Sequence, residues 1–307
     1  MGCGNSAKNA FMDTFRKMSQ LKNIEILDIS IEKQPFFDLI QELSLNQNVE
    51  SFAMRNVDLL GDNNSNIIIL SKTLEKKKTI KRIEFKCING LGEKVGKSIL
   101  MLSERLPDLE FLSLIEIKLE DEDARYIGKI FEDSNLAMNT LNLSGNFFNS
   151  ELEPLLYSFK NLVNIKTLIL QKFGLNKFNS VTLLTSLANV TKLEELDLSN
   201  NSLRSAVKYF DGVLESNKNL KILKLNNSTI ADKHFSYLDD ILRKNTSVRF
   251  LELNSNDLGK DSAGTVKSLI EGNSTLVTIY MLQNKLRMTH VEDLIQTKHK
   301  HRCIMEF

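Results

Sequence analysis

The chain has 307 residues, 42% hydrophobic and 26% charged, with 40 basic against 39 acidic side chains and a net charge of +1. That balance argues against a partner held by bulk charge, because nucleic-acid-binding proteins carry a marked basic excess. Three cysteines, Cys3, Cys87 and Cys303, are too few and too scattered for a disulfide framework or a zinc site, which suits a reducing compartment.

The first element is the stretch MGCGNS. It matches the acylation pattern M-G-x-x-x-[ST], with Gly2 as myristate acceptor, Ser6 in the favoured place and Cys3 available for palmitate. One myristoyl chain holds a membrane only marginally, so stable attachment takes a second signal. Palmitate on Cys3 is one, and Lys8, Arg16, Lys17 and Lys22 against the lone Asp13 are another. Phe11, Phe15 and Met18 stand at helical spacing and predict a capping helix over about 8–20. Residues 1–20 are therefore expected to form a tether and cap. No run approaches the ~18 apolar residues of a spanning helix, and no signal-peptide core is visible. The expected location is cytoplasmic, on the cytoplasmic face of a membrane.

From residue 21 to 307 the sequence repeats. MNTLNLSGNFF from Met138, LEELDLSNNSL from Leu193, LKILKLNNSTI from Leu220 and VRFLELNSNDL from Val248 have apolar residues at the first, fourth, sixth and eleventh places. Three of the four carry Asn at the ninth: Asn146, Asn201 and Asn256. Weaker copies start at Ile24, Val49, Ile80, Leu109, Ile165 and Leu276, giving about ten units with a period near 28. Each begins with the two-residue alternation of a strand and continues with helical spacing, as in Ala263, Val266, Leu269 and Ile270. Neither half can bury its apolar face alone, so stacked units must share one core. Glu32, Val57, Ile88, Ile117 and Phe173 stand where Asn is expected, so the turn there must be satisfied differently. At the far end, Ile304 lies 28 residues beyond Leu276 and Phe307 lies 28 beyond Ile279, which predicts a truncated eleventh strand as a C-terminal cap.

The pattern resembles the leucine-rich repeat L-x-x-L-x-L-x-x-N-x-L, and its period and helical second halves resemble the ribonuclease-inhibitor-like subclass. The resemblance implies an α/β right-handed solenoid, a horseshoe with a parallel sheet on the concave face and helices on the convex face. It also implies that the third, fifth and seventh places of each unit line the concave face.

Two stretches imitate chemistry. GLGEKVGKS, from Gly90 to Ser98, approaches a phosphate-binding loop, but that motif needs glycine where Leu91 stands. It reads instead as a glycine-rich repeat turn. KHKHR offers His299 and His301 without a third ligand, so it predicts no metal site. His234 and His290 fall on convex helices, and no nucleophile, base or paired-carboxylate set converges. The expectation is a non-enzymatic protein with no cofactor, no small-molecule substrate and no nucleic-acid partner.

Along the concave rows, Ile222, Phe250, Tyr280 and Leu282 cluster on adjacent strands, flanked by Asp197 and Glu252. Exposed aromatics among carboxylates point to a protein-binding hot spot. The sequence thus predicts a membrane-tethered scaffold that recognises protein partners. It leaves open a structural component of a cytoskeletal or ciliary assembly, and a GTPase regulator of the Ran GTPase-activating type.

Overall fold

The computed structural model describes residues 21–61, 65–132, 136–148, 152–287, 289–290, 292, 294 and 304–306. Gly2, Cys3, the capping helix over 8–20, His299, His301, Cys303 and Phe307 lie outside the described residues. Among the described residues, eleven parallel strands follow one another in chain order, and helices separate them. The α/β class and the strand–helix alternation are as the sequence predicts.

The chain divides into two compact units, residues 1–140 and 141–307. In the first, β1 (Asn23–Ile31), β2 (Ser51–Leu59), β3 (Arg82–Asn89) and β4 (Phe111–Ile115) pair consecutively. They alternate with α1 (Lys33–Leu45), α2 (Asn66–Leu74), α3 (Val95–Arg105) and α4 (Asp121–Ile130). The short β5 (Thr140–Asn142) falls at the division. The second unit holds β6 (Thr167–Ile169), β7 (Glu195–Asp197), β8 (Ile222–Lys224), β9 (Phe250–Glu252), β10 (Thr278–Tyr280) and β11 (Ile304–Glu306). Its helices include α5 (Leu152–Ser158), α6 (Asn179–Leu187), α7 (Phe210–Ser216), α8 (Asp232–Lys244) and α9 (Lys260–Gly272).

One backbone feature organises every repeat. Asp28, Asn56, Cys87, Glu116, Gly145, Lys172, Asn200, Asn227, Ser255 and Gln283 all have φ between 48° and 71°. This left-handed residue breaks the two-residue alternation of the strand. From β2 onward the side chain after it turns inward again, which explains why both the sixth and the ninth places there are apolar or buried.

The ninth place then differs between the units. In the C-terminal unit Asn201 donates to Leu170 O (2.7 Å) and Leu198 O (2.9 Å) and accepts from Phe173 N and Leu175 N (3.1 Å each). Asn256 repeats this set with Leu225 O, Leu253 O, Ser228 N and Ile230 N. Asn284, in a copy that the pattern marks only weakly, bonds Leu253 O, Met281 O and Leu258 N in the same way. In the N-terminal unit the ninth place is apolar, and over β1–β3 the backbone ladder simply continues. Ile29 pairs with Val57 and Val57 with Ile88, so β1 and β2 reach nine residues and β3 eight. That is how the turn is satisfied at Val57 and Ile88, whereas Phe173 N–H is taken up by Asn201 of the next repeat.

Two register expectations are corrected. Ile24 pairs with Phe52, Ile26 with Met54 and Asp28 falls level with Asn56, so the first repeat begins at Leu21 and not at Ile24. Ile24, Leu27 and Ile29 imitate the L-x-x-L-x-L spacing, but Leu27 and Ile29 are 46% and 48% exposed. At the other end Met305, buried, pairs with Ile279, and Ile304 pairs with Thr278. The last strand is therefore 26 residues from β10, two fewer than the spacing predicts, and Met305 fills the place expected for Phe307.

A second set of asparagines, at the helix ends, ties each repeat to the one before. Asn217 donates to Val190 O (3.2 Å), Asn245 to Leu214 O (3.2 Å) and Asn273 to Leu242 O (2.6 Å). Their side-chain oxygens accept from the backbone entering the next strand, as Asn245 does from Ser247 N and Val248 N. Asn245 and Asn273 thus satisfy carbonyls left open at a helix C-terminus, and Asn217 satisfies one in the loop that follows α6. In the N-terminal unit the buried Lys77 does this work, its ammonium donating to Ser44 O and Asn46 O at the end of α1. Burial pushes the Lys77 ammonium below its ordinary range.

Candidate protein-binding face

The strand register decides which side chains meet on the sheet face turned away from the core. In the C-terminal unit, Glu195, Ile222, Phe250, Thr278 and Ile304 form one row across β7–β11. Asp197, Lys224, Glu252, Tyr280 and Glu306 form the next. Phe250 is 37% exposed, Leu282 40% and Ile304 48%, while Ile222 and Tyr280 are half-buried. The structure therefore brings Ile222, Phe250, Tyr280 and Leu282 onto one face, with strands ~4.8 Å apart. Ile304 joins them, a residue that the sequence reading passed over because it placed β11 in the wrong register.

The two carboxylates are placed differently. Asp197 is only 2% exposed; its oxygens accept from Ser199 N (3.0 Å) and from Gln171 Nε2 (2.5 Å). It orders the turn after β7 and presents no charge outward. Glu252 is half-buried, accepts from Asn226 Nδ2 (2.6 Å) and lies 4.0 Å from Lys224 Nζ. Lys224 is held more closely by Glu195, at 2.8 Å. Burial pulls the Lys224 ammonium down, and Glu195 with Glu252 more than offsets it, so the charge is held firmly.

The next row, at the seventh place, is structural. Asn226 Oδ1 accepts from Asn254 N (2.8 Å), Asn254 Oδ1 from Leu282 N (2.7 Å), and Ser199 Oγ from Asn226 N (3.2 Å). These side chains stand in for ladder bonds where the strands bend. Only Leu282 in this row offers apolar surface.

The corresponding face of the N-terminal unit satisfies itself. Arg55 is bidentate to Glu84 (2.6 and 2.9 Å) and reaches Glu25 (3.2 Å), and Arg82 lies 3.3 Å over the Phe111 ring. The Arg55 bonds hold the Glu84 carboxyl below its usual range despite burial.

The glycine-rich stretch from Gly90 resolves as scaffold. Gly96 N–H donates to Asp123 Oδ1 (2.7 Å), and a Cβ on Gly96 would sit 2.6 Å from Asp123 Cα. The glycine serves the approach of α3 to α4. His234 Nδ1 accepts from Ala231 N and His290 Nδ1 from Arg287 N (3.2 Å each), so both histidines cap chain turns. Among the described residues, no group of three His, Cys, Asp or Glu could hold a metal, and no helix is long and apolar enough to cross a membrane.

The repeat geometry has a counterpart among solved structures. The chain is similar to an internalin, InlF, from Listeria monocytogenes str. 4b F2365, with a TM-score of 0.53 and 12% identity over 98% of this chain and 93% of that one. The fold is that of a leucine-rich-repeat protein. At this identity the likeness extends to fold alone. The actin-binding site 2 of leiomodin-1 aligns with 40% of this chain and 75% of its own at 16% identity, but a TM-score of 0.36 carries no argument. No protein-family model matches the repeats, and no curated protein matches them either.

Proposed function

We propose that the protein is a non-enzymatic scaffold that binds a protein partner on the β8–β11 face. The observation that supports this most directly is the half-exposed apolar cluster of Ile222, Phe250, Tyr280, Leu282 and Ile304, on a face where Asp197, Lys224, Asn226 and Asn254 are held by partners within the chain. Aromatic anchors in such a setting dominate protein–protein binding energies. The helical second halves favour the ribonuclease-inhibitor-like subclass. The N-terminal motif supports a second element of the proposal: Gly2 carries myristate and Cys3 palmitate, placing the protein on the cytoplasmic face of a membrane.

A photo-crosslinking phenylalanine analogue at position 250, expressed in the protein's own cells, tests the face. The expected result is a discrete protein adduct that an analogue at Tyr237, exposed on α8, does not give. Adducts from position 237 alone would favour a structural component buried through its helices. Intact mass of the native protein tests the tether: loss of Met1 with added myristate and a thioester-labile palmitate is expected, and an unmodified N-terminus contradicts it.

A further inference from the structure

We infer that the partner presents a basic amphipathic helix, laid across β8–β11. This rests on the reading that this face binds protein, and it adds the partner's shape and charge.

Charge comes first. On the third- and fifth-place rows of β7–β11, with Asp197 buried, Glu195, Glu252 and Glu306 stand against Lys224 alone. Lys224 is neutralised by Glu195 at 2.8 Å. The Glu306 carboxylate is exposed and has no ion-pair partner among the described residues. Glu252 shares Lys224 only at 4.0 Å. A partner covering Ile222, Phe250 and Ile304 therefore brings its flank over two under-compensated carboxylates, and a basic flank is complementary. When the seventh places are included on both faces, the C-terminal tally is unchanged, since Ser199, Asn226, Asn254 and Leu282 are uncharged, whereas the N-terminal unit's face carries Arg55, Arg82 and Lys86 against Glu25 and Glu84, so the acidic character belongs to this patch and not to the fold.

Shape follows from spacing. The row crosses the strands, so its positions repeat every ~4.8 Å, with the buried Thr278 standing between Phe250 and Ile304. A helix lying along the row offers side chains at i, i+4 and i+7 about every 5.4 Å, whereas an extended peptide spaces like-facing side chains by ~6.6–6.8 Å. Over the three intervals from Ile222 to Ile304, a helix drifts by roughly 2 Å and a strand by roughly 6 Å. The helix stays in register with Ile222, Phe250 and Ile304; the strand does not.

The test is a selection. A library of peptides on a helical framework of about 18 residues, randomised on one face, is panned on the full-length protein. The selected peptides are then titrated against wild type, Phe250→Ser and Glu306→Lys. Circular dichroism melts establish that both variants fold, as expected for changes at exposed positions. The inference expects an apolar stripe with Lys or Arg on one flank. It also expects affinity to fall at least about thirty-fold with Phe250→Ser, the scale of a hot-spot residue, and several-fold with Glu306→Lys. Peptides that need Phe250 but carry no basic flank, or that bind Glu306→Lys equally well, overturn the helix inference and leave the face itself standing. Peptides indifferent to Phe250→Ser, or no enrichment at all, overturn both.

Discussion

Asn256 makes its bonds in a place that water cannot reach: its amide donates to Leu225 O and Leu253 O, and its carbonyl accepts from Ser228 N and Ile230 N. Asn256→Ala leaves those backbone groups buried without partners, and the expected loss is about 2–3 kcal/mol in urea denaturation. The ninth-place asparagines were legible because they sit at a fixed offset from an apolar pattern. Asn217, Asn245 and Asn273 were not, since the carbonyls they serve lie 27–31 residues upstream and asparagine is common in loops. Their mutual spacing of 28 residues was the available signal. Asp232 gives a pH-dependent case. Burial pushes its carboxyl up, but bonds from Gly259 N, Ser262 Oγ and Asp261 N more than offset that and hold it below the ordinary 3.8. The folded state then binds fewer protons than the unfolded chain. Its stabilisation is complete above that ordinary value and is lost as pH falls through the lowered one. Asp232→Asn, which replaces a charged acceptor by a neutral one, is expected to cost about 1 kcal/mol at pH 7, and the gap between the two proteins should narrow as denaturation is repeated at pH values falling below 3.8.

At the scale of elements, close approach and backbone strain set the limits. Gly96→Ala drives a methyl into the backbone at Asp123, so α3 and α4 must separate, at an expected cost of about 1–3 kcal/mol in thermal or urea unfolding. Thr229 works in the other direction. It is β-branched yet has φ of 58°, a conformation that such side chains resist. Thr229→Gly is expected to raise stability by roughly 0.5–1 kcal/mol, and a fall in the urea midpoint would show that the threonine side chain is needed there. The same left-handed conformation explains where sequence reading slipped. Asp28 stands 28 residues before Asn56 at the left-handed place, which fixes the first repeat, but an aspartate does not announce a positive φ as glycine does. Apolar spacing alone therefore chose Ile24, Leu27 and Ile29, a set with two members facing solvent. The strongly patterned repeats were read in register because Asn and leucine agree there on one phase.

For the whole molecule, the near-zero net charge conceals local imbalance. Forty basic and 39 acidic residues argued against an electrostatic partner, yet the sheet face of the C-terminal unit gathers carboxylates around an apolar row. Composition averages over faces, and only strand register separates them. The identity of the cluster was legible because the repeat places Phe250 and Tyr280 at outward positions. The commitment of Asp197 to Gln171 and Ser199 was not, since it depends on how the turn folds back. We propose this face, and not the helices, as the working surface. Calorimetric titration of the crosslinked partner against wild type, Phe250→Ser and Tyr237→Ser tests it most directly. The account predicts at least about a thirty-fold weaker Kd for Phe250→Ser and less than about a two-fold change for Tyr237→Ser. An unchanged Kd for Phe250→Ser, with a large loss for Tyr237→Ser, would contradict it.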